Sequence, residues 1–187
     1  TFPEAASLQD PLSREFIVSL KKARVNLENR LKETPSHVRK EVMASLGTVA
    51  DLERHAVQLL VRSEDLYQYL QTQDGDTIRK EYRQIEQAAQ NARDPAAREE
   101  FQRAQLAKGE QLRALEDLLD ARERIHANLA RLLATLDALS PKLVRMRALD
   151  AQALDNAGGD ISRELDSMNQ EIGLFEETLN TTLTETR

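Results

Sequence analysis

The residues with the clearest capacity for chemistry are the three histidines and the carboxylates near them. Glu123 and His126 have the Glu-x-x-His spacing that supplies two metal ligands in di-iron helical bundles. Such a centre needs a second copy of the motif, and neither His37 nor His55 has a Glu three residues before it. We therefore interpret Glu123 as a surface residue and His126 as a residue at the edge of a helix seam, and we expect no metal site.

Two other polar patterns have simple structural interpretations. Asp51 and His55 are four residues apart, which predicts a contact across one turn of a solvated helix. The run Asp74-Gly75-Asp76 resembles the start of a calcium loop, but it lacks the twelve-residue spacing and the closing Glu of that loop. It predicts a turn between two helices instead.

The other motifs of catalytic sites are absent from the sequence. It contains no glycine-rich phosphate loop, no His-Glu-x-x-His, no Gly-x-Ser-x-Gly, and no cysteine for a disulfide or a thiolate site. The sequence therefore predicts a protein that is not an enzyme, with no catalytic residue, no cofactor and no small-molecule substrate.

The composition favours long helices over any sheet. About half of the residues are Ala, Glu, Lys, Leu or Arg, which is typical of coiled coils and long helices, and β-branched and aromatic residues are scarce. The net charge of −6 disfavours a nucleic-acid partner, which requires a basic surface. No apolar run approaches the roughly 18 residues that span a bilayer. The chain opens without an initiator Met, so we expect it to be a fragment, with any anchor outside it.

Capping residues and prolines predict where the helices begin. Four Asp, Thr or Ser residues precede a proline, and each such pair is suited to open a helix because Pro has no N–H to leave unbonded. The pairs are Asp10-Pro11, Thr34-Pro35, Asp94-Pro95 and Ser140-Pro141. The run Gly158-Gly159-Asp160 predicts either another turn or a kink. The predicted helices are 11–33, 35–72, 77–92, 95–139, 141–156 and 160–185.

These helices predict an all-α fold, an elongated antiparallel bundle or coiled coil of three to four long helices. The 95–139 helix would be roughly 67 Å long, which exceeds the roughly 40 Å diameter of a compact globule of this size. We expect a flexible segment at 1–10, followed by a single elongated domain at 11–187. The pattern resembles, in general terms only, antiparallel bundles of the spectrin or bacterial coiled-coil kind.

Charge is distributed unevenly between the two ends of the sequence. Residues 13–40 carry eight basic and three acidic side chains, whereas residues 155–186 carry eight acidic and one basic. Two such segments can pair, within one chain or between two, because charges beside a seam select partner and orientation. Alternatively, both are solvated faces. The candidate partner-binding residues are Lys21, Lys22 and Arg24 on the basic segment and Glu171, Glu176 and Glu177 on the acidic one.

Four aromatic residues form a second candidate partner site. Tyr67, Tyr69, Tyr82 and Phe101 are grouped in sequence around the two breaks at 74–76 and 92–95. They either form an exposed partner site or fill the elbow where helices reverse. Lys108 and Arg122 interrupt the apolar seam of the predicted fourth helix. Polar residues at seam positions often fix the register between helices.

Shape and charge together favour a protein–protein interaction or scaffold module. Its partner would be another protein or a second copy in a homodimer, and the chain would be the soluble part of a larger, membrane-anchored protein. The alternative is a protein bound to a membrane surface through its basic amphipathic first helix, Leu12–Lys32. A third option is a sensor domain with a ligand between its helices. The sequence favours a cytoplasmic location without fixing the compartment.

Overall fold

The computed structural model describes residues 2–185, and this part of the chain contains helices and no strand. A short 3₁₀ turn at Ala5–Ser7 precedes five α-helices. They are α1 (Pro11–Glu33), α2 (Ser36–Gln71), α3 (Gly75–Asn91), α4 (Pro95–Met146) and α5 (Ala151–Glu185). The all-α prediction is confirmed. The predicted count of three to four long helices is wrong, because residues 2–185 form five.

Helices α2 and α4 pack together at the centre of the molecule. Helix α1 lies mainly against α4, and α5 lies mainly against α2. The helices α2 and α5 run parallel to each other and antiparallel to α1 and α4. We refer to α1, α2, α5 and residues 115–146 of α4 as the bundle. Its largest fully buried apolar residues are Ile17, Leu20, Val38, Leu52, Leu59, Leu60, Ile125, Leu129, Leu132, Met146 and Leu165.

Helix α3 and the first part of α4 form a separate two-helix unit. In the described part of the chain, α3 contacts no helix except α4. We call residues 75–115 the hairpin. Helix α4 has 52 residues and is therefore roughly 78 Å long, so it is shared between the hairpin and the bundle.

Two of the predicted helix starts are confirmed by their caps, because Asp10 and Asp94 accept hydrogen bonds from the backbone N–H of Leu12 and Ala97, respectively. Asp74 caps α3 by accepting from the N–H of Thr77, so this helix begins at Gly75, two residues before its predicted start. Thr34 does not act this way, and that prediction is wrong. Its hydroxyl donates back to the carbonyl of Arg30 at 2.5 Å, and α2 begins at Ser36.

The break predicted at Ser140-Pro141 is also wrong, because α4 continues through Pro141 to Met146. Proline inside a helix removes one backbone hydrogen bond and crowds the preceding turn, so it normally ends a helix. Here Leu139, Leu143 and Met146 are buried in the core on both sides of the proline. Their burial offsets the local cost.

Pro141→Ala should therefore stabilise the protein. We expect the free energy of unfolding to rise by about 1–3 kcal/mol, because alanine restores the missing N–H and relieves the crowding. Urea unfolding followed by circular dichroism measures the change. Pro11→Ala is the matched control, since Pro11 is at the first position of α1, where proline is favourable. A loss of stability in Pro141→Ala would contradict this account.

The two glycines at 158 and 159 neither end nor begin a helix. Helix α5 is continuous from Ala151, and the chain reverses at 147–150, where Asp150 accepts from the N–H of Ala153 at 2.8 Å. The predicted helices 141–156 and 160–185 are therefore wrong. A Cβ on Gly158 would lie 3.1 Å from the carbonyl oxygen of Glu41. This glycine serves a close approach of α5 to α2.

Residues 2–10, expected to be flexible, pack along the side where α1 and α2 meet, and we call them the strap. Leu8 and Asp10 are buried. Phe2 lines a cavity together with Arg24 of α1 and Val57 of α2. Across residues 2–185, no helix combines the length and the apolar character needed to cross a membrane.

Candidate functional site

The most unusual feature of the core is a group of polar side chains where the strap, α1, α2 and α4 meet. We call it the polar cluster. It consists of Asp10, Ser13, Ser63, Glu64, Arg122 and His126. Buried polar groups stabilise a fold only when they are bonded to one another, so the partners of each group decide what the cluster does.

Asp10 is the centre of the cluster and is fully buried. Its carboxylate accepts from the guanidinium of Arg122 at 2.8 Å, from the hydroxyl of Ser13 at 3.0 Å and from the N–H of Leu12 at 3.1 Å. Burial alone would raise the pKa of Asp10, but the hydrogen bonds from Arg122, Ser13 and Leu12 together hold that pKa below its ordinary value. Asp10 is therefore a charged group at neutral pH.

Glu64 of α2 binds the backbone of the strap. Its carboxylate oxygens accept from the N–H of Gln9 at 2.7 Å and from the N–H of Asp10 at 3.1 Å. Gln68, one turn later on α2, donates to the same carboxylate at 3.1 Å. Glu64 is buried, and its hydrogen bonds fix the end of the strap to α2.

His126 joins α4 to both α2 and the strap. Its Nε2 lies 2.8 Å from the hydroxyl of Ser63 and 3.4 Å from the carboxylate of Asp10. Burial and the nearby charge of Arg122 lower the pKa of His126, and the attraction of Asp10 offsets only part of this shift. The histidine is therefore neutral at pH 7.

Ser63, His126 and Asp10 have the residue types of a catalytic triad, but their geometry differs from one. In a triad the serine and the aspartate bind opposite ring nitrogens of the histidine. Here both lie against Nε2, and Ser63 is completely buried. A substrate has no access to the hydroxyl, so this geometry does not support acyl transfer by Ser63.

The two polar residues on the seam of α4 are both paired. Arg122 binds Asp10, and its guanidinium also lies 5.1 Å from the ring centre of Tyr67. Lys108 binds Glu81 of α3 at 2.6 Å. Arg122 therefore joins α4 to both the strap and α2, and Lys108 joins α4 to α3; a role of these residues in fixing register stays a prediction.

The four aromatic residues do not form a single site. Tyr67 packs under Arg122, whereas Tyr82 lies beside Gly109 and its hydroxyl accepts from Gln105 at 3.2 Å. Arg122 and Gly109 are roughly 20 Å apart along α4. Tyr69 and Phe101 are exposed at the end of α2 and in the hairpin, respectively. The exposed Tyr69 and Phe101 therefore lie on different parts of the molecule, and a partner site at these aromatic residues stays a prediction.

On the basic segment, two of the three candidate residues are bound within the molecule. Lys21 donates to the carbonyl of Pro3 at 3.0 Å. Arg24 binds Glu28 and Glu53 and lies over the ring of Phe2. Lys22 is exposed.

On the acidic segment, Glu171 binds Arg131 of α4 at 2.5 Å, and Glu176 binds His55 of α2 at 2.9 Å. Glu177 is exposed. Within residues 2–185, the backbones of α1 and α5 do not approach each other closely, and no ion pair joins the two helices. Their charges therefore do not pair inside one chain, and pairing between two copies stays a prediction.

The predicted contact between Asp51 and His55 is wrong. Asp51 binds Arg54 at 2.9 Å instead, because the ring of His55 turns toward Glu176 of α5. Glu123 is exposed, as expected, and His126 is half-buried beside Ser63. Among residues 2–185, no group of three or more His, Asp or Glu side chains is placed to hold a metal ion.

Comparison with protein-family models, with curated proteins and with solved structures finds no match to this chain. The fold and the site define it as an all-α protein, with a polar cluster inside its bundle and a two-helix hairpin outside it.

Proposed function

We propose that the chain is a non-enzymatic protein–protein interaction module that binds a helical partner along the hairpin. The observation that carries this proposal is that α3 has α4 as its only helical neighbour in the described residues. Helices of this length gain most of their stability from packing an apolar face against other elements. A two-helix unit leaves part of its seam open to a third or fourth helix.

The seam of the hairpin supports this proposal. Ile85, Tyr82 and Leu112 are only half-buried, and Phe101 remains 38% exposed. Leu106, on the outer side of α4, is 70% exposed. The seams of the bundle differ from that of the hairpin. Leu129 and Leu132, which lie on the bundle part of α4, are almost completely buried. The hairpin therefore has apolar surface that further helices can cover.

The charges of the hairpin favour a partner that is itself a charged helix. Acidic and basic side chains are interspersed over its surface; on α4, for example, Arg103 pairs with both Glu99 and Glu100. A surface with both charge signs can set the orientation of a neighbouring helix, but it does not attract a polyanion strongly. A second copy of the chain fits this description, because two antiparallel hairpins would offer each other the same seam and the same mixture of charges.

Phe101→Asp should abolish this association. A buried, unpaired carboxylate at the centre of a helix interface is costly, so we expect self-association to weaken at least tenfold. Sedimentation equilibrium over a range of concentrations measures it. Leu174→Asp is the matched control, because Leu174 is 64% exposed on α5, outside the hairpin. A wild-type chain that stays monomeric at all concentrations, or equal effects of the two variants, would contradict a homodimer through the hairpin.

A membrane-surface function is the second candidate, and one feature of α1 favours it. Val18 and Val25 are exposed on the outer face of α1, where Lys22 is exposed as well. The larger apolar residues of this helix, such as Ile17 and Leu20, are buried in the bundle. Salt-sensitive sedimentation with anionic vesicles, lost in Lys22→Glu, would favour this candidate over the hairpin proposal. A membrane anchor in a longer form of the chain, as expected from the sequence, is also a proposal.

A further inference from the structure

A groove lies on the surface of the bundle between α1 and α4, outside both the hairpin and the strap. Its volume is about 290 Å³, and α4 lines it from His126 to Leu133. This stretch of α4 is roughly 10 Å long. Such a volume is close to the lower end of the range for small-molecule sites, and a helix of a partner protein would need a longer surface. The dimensions of the groove therefore suit a small molecule.

Most of the groove is lined by apolar side chains. Leu129 is buried at its floor, whereas Phe16 and Leu133 are half-buried. Leu12, in the first turn of α1, remains 53% exposed. A ligand in the groove would cover the open faces of these side chains, and the removal of apolar surface from water favours binding. Because α1 and α4 already pack together in the bundle, the groove is formed before a ligand arrives.

His126 supplies a hydrogen-bonding atom that no described residue uses. Its Nε2 lies 2.8 Å from the hydroxyl of Ser63 and 3.4 Å from the carboxylate of Asp10, inside the polar cluster. The other ring nitrogen, Nδ1, has no hydrogen-bond partner among residues 2–185, and it is not sealed off from solvent. The same ring lines the groove. Nδ1 is therefore the atom that His126 can offer to a ligand.

The polar cluster also decides whether Nδ1 donates or accepts. Asp10 is charged at neutral pH, and a carboxylate beside Nε2 favours the proton on that nitrogen. In the neutral ring, Nδ1 is then a hydrogen-bond acceptor. Glu15 offers a second acceptor at the rim, because its carboxylate forms no hydrogen bond or ion pair within the described chain. The hydroxyl of Ser19, which also lines the groove, can fill either role.

The charges around the groove favour a neutral ligand. The carboxylate of Glu15 repels an anion. A cation would be attracted by Glu15, but it would lie close to Arg122, whose charge opposes a positive charge at His126. It would also lose its hydration against the apolar floor. The ligand that complements this site is neutral and carries a hydrogen-bond donor.

We propose that this groove binds a small, neutral aromatic molecule whose N–H or O–H group donates to Nδ1 of His126. Indole has this chemistry, because its N–H is a donor only and the rest of the molecule is apolar. The ligand would bond one nitrogen of a ring whose other nitrogen contacts Ser63 and Asp10. This inference develops the ligand-binding option considered from the sequence, and it is independent of partner binding along the hairpin.

Indole itself is the probe, added to the intact chain at neutral pH. The chain has no tryptophan, so the fluorescence of indole can be followed directly as protein is added. We expect saturable binding, and nitrogen NMR should show a change in the resonance of Nδ1 of His126, because that atom accepts a hydrogen bond. N-methylindole has the same rings without the N–H, so it would cover Nδ1 and leave it unbonded. It should bind at least about fivefold more weakly than indole.

Two variants test the location of the site. Ala130→Phe fills the groove from an exposed position on α4 and should abolish the binding of indole. Ala44→Phe is the matched control, since it places the same side chain at an exposed position of α2 and should leave binding unchanged. Equal binding of indole and N-methylindole would overturn the proposal. Binding that does not saturate, or that survives in Ala130→Phe, would overturn it as well.

Discussion

Replacing Arg122 with methionine is expected to destabilise the protein by about 3–5 kcal/mol at pH 7. Methionine retains much of the volume of the side chain beside Tyr67 but removes the charge that faces Asp10. The carboxylate of Asp10 is completely buried, and Arg122 is its closest cation at 2.8 Å. The variant leaves an ionised carboxylate buried without its partner, which lowers the free energy of unfolding. Urea unfolding measures this loss.

The pH dependence of that loss identifies its origin. In the wild type, the lowered pKa of Asp10 makes a contribution to stability that is present above its ordinary value of 3.8 and is lost as the pH falls through the folded value. Without Arg122, burial instead favours the protonated acid. The deficit of Arg122→Met should therefore shrink as the pH is lowered toward 4.

Two controls test whether the charge pair is responsible. Arg124→Met removes the same charge from an exposed position on the same helix and should change stability by less than about 0.5 kcal/mol. The double variant Asp10→Asn with Arg122→Met should recover part of the loss, because contacting residues are coupled. If the double variant is no more stable than the sum of the single changes predicts, Asp10 and Arg122 are independent.

The parts of the fold that could be predicted from the sequence are those encoded locally. Asp10 and Asp94 cap helices as predicted, since a capping side chain acts on the N–H groups of the next turn. The helix breaks predicted at Pro141 and Gly158 are wrong for the opposite reason. At these positions α4 and α5 continue because their side chains pack against residues that are distant in the sequence. A local sequence pattern does not reveal such tertiary packing.

The apolar stripe of α5 shows the same limit on a smaller scale. Ile161, Leu165, Met168 and Ile172 follow one another at intervals of four, three and four residues, and all four are buried. Phe175 continues the pattern without a fault but is only half-buried. Periodicity identifies the face that packs, but the amount of cover depends on the neighbouring helices.

The polar cluster could be predicted only in part. Arg122 interrupts an apolar seam, and this was a usable signal. Ser63 gives a similar signal, because it occupies the seam position between Leu59 and Leu66, both buried. Nothing in the sequence pairs these residues with Asp10, which already has a sufficient explanation as the cap of α1. The pairing follows from the path of the strap, and this segment has no apolar periodicity from which to predict that path.

The second large effect concerns the apolar centre of the bundle. Leu132→Ala is expected to lower the free energy of unfolding by about 2–5 kcal/mol. Leu132 has no exposed surface and belongs to the core cluster that includes Leu20, Leu59 and Leu165 from the three other bundle helices. Removing its branched end leaves a cavity, and helices fixed on several sides cannot close it by moving.

Leu119→Ala is the matched control on the same helix. Leu119 is 44% exposed, so the same truncation should cost less than about 1 kcal/mol. The comparison also tests how tightly the bundle is packed. If Leu132→Ala costs no more than Leu119→Ala, residues 115–146 of α4 do not pack against α1, α2 and α5 at once, and the bundle described here would be wrong. A large difference would establish that residues 115–146 of α4 pack tightly inside the bundle and that this packing contributes strongly to the stability of the chain.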